Sequence, residues 1–328
     1  MKKRILITGG TGFIGSALVK TLVNNGESVR VLDNQSRGSM RRLDGLEGKF
    51  EMIEGDIRDP KVVERACKGV DLVLQLAYIN GTEFFYIKPE LILEVGVKGM
   101  MNVLDSCIKH HVPELLLVSS SEVYQTPPIV PTPETVPLVV PDPLNPRYSY
   151  GGGKIISELL VLNYGRKFFK RVLIVRPHNV YGPDMGWEHV IPQLSLRVKN
   201  IIEENMSEGT IKLPIQGSGK ETRAYIYIDD FTNGILRVLD KGKHLEIYNI
   251  GTMKEISTKK LAEGIGACFN ITINIVPGKL NKGSTLRRCP DITKLKKLGF
   301  KQKTSLKDGL QKTVQWYNTF AHLQFKND

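Results

Sequence analysis

The 328-residue chain is 41% hydrophobic and carries a formal charge of +12; it is long enough to bury a large core, and this length usually divides into a main domain and a smaller one. No apolar run approaches a membrane span, and the first β-rich run starts almost at the initiator, so neither a membrane partner nor a signal or transit peptide is expected and the reading is cytoplasmic. The basic residues are dispersed without a basic helix or RNA-binding signature, which disfavours nucleic acid as the acidic partner and leaves a phosphorylated small molecule. Cys67, Cys107, Cys268 and Cys289 lack metal-ligand spacing and read as reduced thiols, so no metal is expected.

In chain order, RILITGG, SVRVLDN, FEMIEGD, DLVLQLA, ELLLVSSS and RVLIVRP are short β-rich runs separated by segments of helical length. That rhythm predicts an α/β protein with a doubly wound parallel sheet. Between the first two runs, Ile14, Ala17, Leu18, Thr21 and Leu22 keep a helical period that NNG at Asn24 to Gly26 terminates. After about Pro177 the pattern loosens into a helix near His189 to Asn205, a strand and helix in AYIYIDDFTNGILRVL, and a basic C-terminal stretch, together read as a lid. The proline-rich Thr126 to Pro143 reads as a rigid loop. Residues 1–176 are expected to form the cofactor domain, with 224–250 returning to it, while 177–223 and 251–328 form a smaller α/β substrate domain.

GGTGFIG follows the first strand and opens the first helix, so Gly9, Gly12, Phe13, Ile14 and Gly15 form a dinucleotide fingerprint of Rossmann type. Glycines suit it because the turn is tight, the backbone approaches a pyrophosphate, and the helix N-terminus presents free N–H groups to negative charge. Asp33 and Asn34 close the second strand. A carboxylate there accepts from a ribose 2′-OH and repels a 2′-phosphate, so NAD is expected over NADP, against which only Arg37 speaks. Asp56 and Ile57 end the third strand, and Leu76 and Ala77 the fourth, where they are expected to meet the adenine end of the cofactor.

YSYGGGKIISELL places three glycines at the opening of a helix, at about 1 kcal/mol each relative to Ala. Tyr150 and Lys154 are spaced i, i+4 and share a face, where a lysine ammonium, together with the positive nicotinamide ring of an oxidised cofactor, is expected to lower the pKa of a tyrosine base. Gly151, Gly152 and Gly153 read as a wall against which cofactor or substrate packs without Cβ atoms. SSSEVY, Ser119 to Tyr124, brings hydroxyls and the Glu122 carboxylate to the same crevice.

These motifs, in this order, resemble the extended short-chain dehydrogenases/reductases, in particular the NAD-dependent epimerases and dehydratases of nucleotide sugars; RPHNVYGPDMG, GSGKETRAYIYIDD and STLRRCPDITKLKKLGF extend the resemblance over most of the chain. It implies that Tyr150 is the base, that Lys154 holds the nicotinamide ribose and tunes Tyr150, and that Ser120 hydrogen-bonds the reacting hydroxyl. It further implies that Asn179 and Arg223, with Arg287 or Arg288, contact a nucleotide diphosphate, and that the helices from Pro89 to Cys107 and from Tyr150 to Tyr164 pair into a homodimer. Three positions depart from the family: Gly153 replaces a small hydroxyl residue, Gly96 a frequent Asn, and Gln75 a common His. The implied reaction oxidises sugar C4 to a ketone, with Tyr150 taking the hydroxyl proton and NAD the hydride. A UDP-glucose 4-epimerase-like outcome is expected, because Ser121 stands where 4,6-dehydratases carry Asp. Ser-x-Glu with Glu122 also resembles the UDP-glucuronate decarboxylases, the alternative outcome; a dehydratase, a 4-dehydrogenase and a non-catalytic NAD sensor are the remaining ones.

Overall fold

The six β-rich runs lie side by side in the computed structural model, which describes residues 2–205, 209–280 and 285–323. They are β1 (Arg4–Thr8), β2 (Ser28–Asp33), β3 (Phe50–Glu54), β4 (Leu72–Gln75), β5 (Glu114–Val118) and β6 (Arg171–Pro177). A seventh, β7 (Glu246–Ile250), completes a sheet of order β7-β6-β5-β4-β1-β2-β3 in which every pair is parallel. The strands are apolar at nearly every position because helices cover both faces, and the period of two divides them between two cores. Ile5, Ile7, Leu116 and Val118 enter one core, which continues into the C-terminal third; Leu6, Leu115 and Leu117 enter the other.

Strand order reverses between β1 and β4, so the crevice at their carboxyl ends is where such a sheet takes a ligand. The helix Phe13–Asn24 starts there, directly after the glycine turn. The helix expected from Pro89 runs as Pro89–Leu93 and Gly99–Lys109, joined by a π-helical turn, Glu94–Lys98, that contains Gly96. It packs beside the long helix Tyr148–Phe168 that carries Tyr150 and Lys154.

The C-terminal stretch is more ordered than its basic composition suggests. It holds the helices Thr258–Cys268 and Leu306–Thr319, whose N-terminal N–H groups are capped by the hydroxyls of Ser257 and Ser305. Those two serines were the available signal. Among the described residues no helix is long and apolar enough to cross a membrane.

Candidate active site

The glycine turn has the geometry of an anion cradle. Gly9 sits at φ 72°, and a Cβ on it would come 2.9 Å from the Ala77 nitrogen; a Cβ on Gly15 would fall under 3 Å from the Gly9 carbonyl. Gly12 caps the helix without any side-chain bond, which leaves the first-turn N–H groups free to face a ligand. Both carboxylate oxygens of Asp33 are held, by the Thr11 N–H at 2.9 Å and the Gln35 N–H at 2.7 Å. Gln75, in place of the family's histidine, accepts from the Thr8 hydroxyl at 2.6 Å and donates to the Ala77 carbonyl, so it ties the ends of β1 and β4 together.

A cleft of about 510 Å³ opens over this cradle, and Gly9, Gly12, Phe13, Ile14, Gly15, Asp33, Asn34, Asp56, Ile57, Leu76 and Ala77 all line it. Asn34 donates to Asp56 at 2.9 Å. Partial burial works against the Asp56 carboxylate, but hydrogen bonds from Arg58 outweigh it and hold its pKa below the usual range. Arg37 is engaged by Glu188 and stacks over Phe84 at 4.7 Å. A backbone cradle, an open helix N-terminus and a fixed carboxylate fit a dinucleotide such as NAD.

Ser120, Glu122, Tyr150, Lys154 and Asn179 line the other end of the same cleft. Tyr150 stacks on Phe85 at 4.9 Å and meets the edge of Tyr78 at 5.1 Å. Burial pushes its phenol pKa up, a hydrogen bond with the Ser120 side chain opposes the rise, and the Glu122 charge adds to it. The expected lowering by Lys154 is therefore not what this arrangement produces. The lysine ammonium donates instead to the Val118 carbonyl at 2.9 Å and rests 3.9 Å from the centre of the Tyr78 ring, against 5.9 Å for Tyr150. Burial brings the Lys154 pKa down to about 7, with Glu158 pulling it back up.

Glu158, one turn beyond Lys154, is locked in a buried ion pair with Arg176 of β6, at 2.9 and 2.6 Å, and accepts from the Ser119 hydroxyl at 2.5 Å. This pair fixes the long helix against β5 and β6, and with it the depth of Tyr150 and Lys154.

The three glycines do not form a wall for cofactor or substrate. A Cβ on Gly153 would meet the Tyr78 hydroxyl, and one on Gly151 the Gln125 amide, each under 3 Å, while Gly152 has only ordinary contact with Val140 at 3.4 Å. Two of the three make room for this chain's own side chains. Gly96 does the same, since its Cβ would also strike Tyr78. Tyr78, three residues past β4, is the cleft residue that motif reading passed over; the glycines at 96 and 153 were its signal.

At this end of the cleft, Glu122 pairs with Arg288, and burial, which would raise the carboxylate's pKa, is outweighed by Arg288 and then by Arg147 and Arg223, leaving it lowered. Arg288 lines the cleft and Arg287 does not: the latter turns outward to Glu255 at 2.6 Å. Neighbours on a strand point to opposite faces, which is why Arg288 faces the cleft while Arg287, the expected contact, faces away from it. Arg223 also lies outside the lining and donates to the carbonyls of Thr222 and Thr285, bracing the segment that carries Arg288. Asn179 holds a left-handed backbone at φ 41° and donates to the Ala224 carbonyl at 3.1 Å. Arg147 lines the cleft next to Glu122, its Nε is buried, and among the described residues its guanidinium has no hydrogen-bond or ion-pair partner.

The sequence matches the NAD dependent epimerase/dehydratase family over residues 5–251. UDP-glucuronic acid decarboxylase 5 of Arabidopsis thaliana is 34% identical over 311 residues, 94% of this chain and 87% of that protein. A double mutant of the dTDP-glucose 4,6-dehydratase from Streptomyces venezuelae, solved with NAD bound, superposes with a TM-score of 0.83 at 30% identity, over 96% of each chain. The UDP-glucose 4-epimerase of Thermotoga maritima, solved with UDP-glucose, gives a TM-score of 0.84 at 27% identity, over 97% of this chain and 99% of its own. The chain belongs to the NAD dependent epimerase/dehydratase family, as an NAD-dependent enzyme of the group that holds nucleotide-sugar epimerases, dehydratases and decarboxylases.

Proposed function

We propose that the substrate is a nucleotide-diphosphate sugar bearing a C6 carboxylate, and that the enzyme oxidises C4 and then decarboxylates, as a UDP-glucuronate decarboxylase does. The observation that carries this reading is Arg147. Among the described residues its guanidinium has no hydrogen-bond or ion-pair partner, and it stands beside a carboxylate that Arg288 already neutralises, an excess of positive charge that a uronate would satisfy. The likeness to the Arabidopsis decarboxylase over nearly the whole chain supports the same reading.

The glycine turn, the open N-terminus of the first helix and Asp33 would hold NAD, which would supply the hydride acceptor and donor for C4. Ser120 and Tyr150 hold the C4 hydroxyl between them, and Tyr150 accepts its proton; Lys154 fixes the cofactor ribose, and the positive ring of oxidised NAD would offset the burial that disfavours the phenolate. The C4 ketone is β to the C6 carboxylate, so the C5–C6 bond breaks, its electron pair enters the C4–C5 enolate, and C5 takes a proton as CO₂ leaves. Asn179 and Arg288 contact the nucleotide diphosphate. Residues 1–176 with 224–250 serve the cofactor, and 177–223 with 251–328 the nucleotide sugar. Exposed Leu93, Ile156 and Leu159 on the two neighbouring helices suit a homodimer.

A 4-epimerase is the second reading, favoured by one observation: Glu122 is bound to Arg288 and so does not stand ready as a further acid. One experiment separates the two. The protein, NAD and either UDP-glucuronate or UDP-glucose are combined in D2O, and products are read by mass spectrometry. Loss of CO₂ from UDP-glucuronate with one deuterium at C5 is expected; a C4-epimer without carbon-bound deuterium from either sugar would overturn decarboxylation in favour of the epimerase.

A further inference from the structure

Tyr78, Gly96 and Gly153 come from three separate segments and meet at one point: the loop after β4, the π-helical turn, and the long helix. The Tyr78 hydroxyl lies where a Cβ on either glycine would be, so the tyrosine requires both glycines. The Ser157 hydroxyl closes the joint from below, within 2.9 Å of both the Gly96 and the Gly153 carbonyls. Among the described residues the Tyr78 hydroxyl has no hydrogen-bond partner although it is buried. An unpaired buried hydroxyl is unfavourable, so hydrogen bonding does not account for this tyrosine. Its ring does more: one face carries the Lys154 ammonium at 3.9 Å and its plane stands at 85° to the ring of Tyr150.

We propose that Tyr78 is the positioning residue of Lys154: its ring face holds the ammonium in place and favours its charged form, while its hydroxyl end fills the space left open at positions 96 and 153. The proposal rests on the reading of Tyr150 and Lys154 as the reacting pair. Among the described residues the buried ammonium has a single hydrogen bond, to the Val118 carbonyl, so its charge needs further support, and the aromatic face at 3.9 Å supplies it. The groups facing Lys154 leave that task to Tyr78. On its own helix Glu158 raises its pKa but is itself tied to Arg176 and Ser119, and Tyr150 is a neutral phenol. β5 contributes the Val118 carbonyl; the facing helix contributes Gly96, its Glu94 being turned outward to Arg58.

The test uses full-length protein labelled with ¹³C at lysine Cε, with the Lys154 signal assigned by its loss in Lys154→Met. Tyr78→Phe, which keeps the ring, should leave the Lys154 titration and the basic limb of kcat as in the wild type. Tyr78→Leu, which removes the ring, should lower both by ~0.5–1.5 pH units. An unchanged or raised Lys154 pKa in Tyr78→Leu would overturn the proposal. If Lys154→Met turned over normally, the reading of the reacting pair would fail instead, while the titration would still decide the role of Tyr78. A second pair of variants tests the filling independently of catalysis. A Cβ at 153 clashes with the Tyr78 hydroxyl but stands 3.6 Å from the ring carbon behind it. Gly153→Ala should therefore lower Tm, and Tyr78→Phe/Gly153→Ala should restore it; a double variant no more stable than Gly153→Ala would refute the packing set.

Discussion

At the cofactor end of the cleft the recognising surface is backbone: a glycine turn, an open helix N-terminus and one carboxylate fixed by two N–H groups. At the sugar end it is side chains, guanidiniums and a carboxylate delivered by segments more than a hundred residues apart, from Glu122 and Arg147 to Arg288. The first surface is rigid because the turn permits no alternative, and it tolerates almost no added atom. The second is held by ion pairs whose partners could be exchanged, and it is where members of one family can differ in the sugar they accept. The two ends are joined through the long helix, which the buried Glu158–Arg176 pair anchors.

That anchor is where the comparison breaks most severely. Arg176→Met leaves Glu158 as an uncompensated buried charge and should cost about 3–5 kcal/mol, read from a denaturation midpoint. A loss under ~1 kcal/mol would mean the helix is held by packing alone. Next in size, Tyr150→Phe should reduce turnover ~100-fold or more while NAD binding persists, separating chemistry from the cradle; near-normal turnover would remove Tyr150 from its role.

Lys154→Met should stabilise the fold while it abolishes activity. The folded pKa of about 7 lies below the ordinary 10.5, so the unfolded chain binds the proton more tightly and the penalty for burying the charge is fully present below pH 7. The gain should be on the order of 1–3 kcal/mol at pH 6 and shrink as pH rises through 7 toward 10.5, compared by urea titration at two pH values. A gain independent of pH would show that the fold does not lower the Lys154 pKa.

Smaller effects sharpen the contrast within each end. Asp33→Asn should weaken NAD about tenfold, or ~1.4 kcal/mol, and narrow its margin over NADP in calorimetric titration. Arg287→Ala, on the outer face of its strand, should change neither turnover nor stability measurably, whereas Arg288→Ala should raise KM for the nucleotide sugar.

The cofactor end was legible because its residues follow one another on strand, turn and helix, and each spacing is dictated by local geometry. Tyr150 and Lys154 were legible for the same reason, sharing a helix face. Their electrostatics were not: the rise in the Tyr150 pKa comes from burial, to which Phe85 and Tyr78 contribute from elsewhere in the chain. The choice between Arg287 and Arg288 turned on one residue of strand register, and the sequence offers no marker for which face of a two-residue strand looks inward.

By itself, then, the sequence determined the parallel sheet and the glycine turn that opens the first helix, and it marked Ser120, Tyr150 and Lys154, which the fold brings to one cleft, since periodicity and short-range spacing carry that information. Only the tertiary structure decided what the glycines at 96 and 153 are for, that Arg147 lines the cleft with its Nε unpaired among the described residues, and that Arg288 rather than Arg287 meets Glu122. Each of these depends on which distant segments share a volume, and a volume filled from several elements leaves no periodic trace in any one of them.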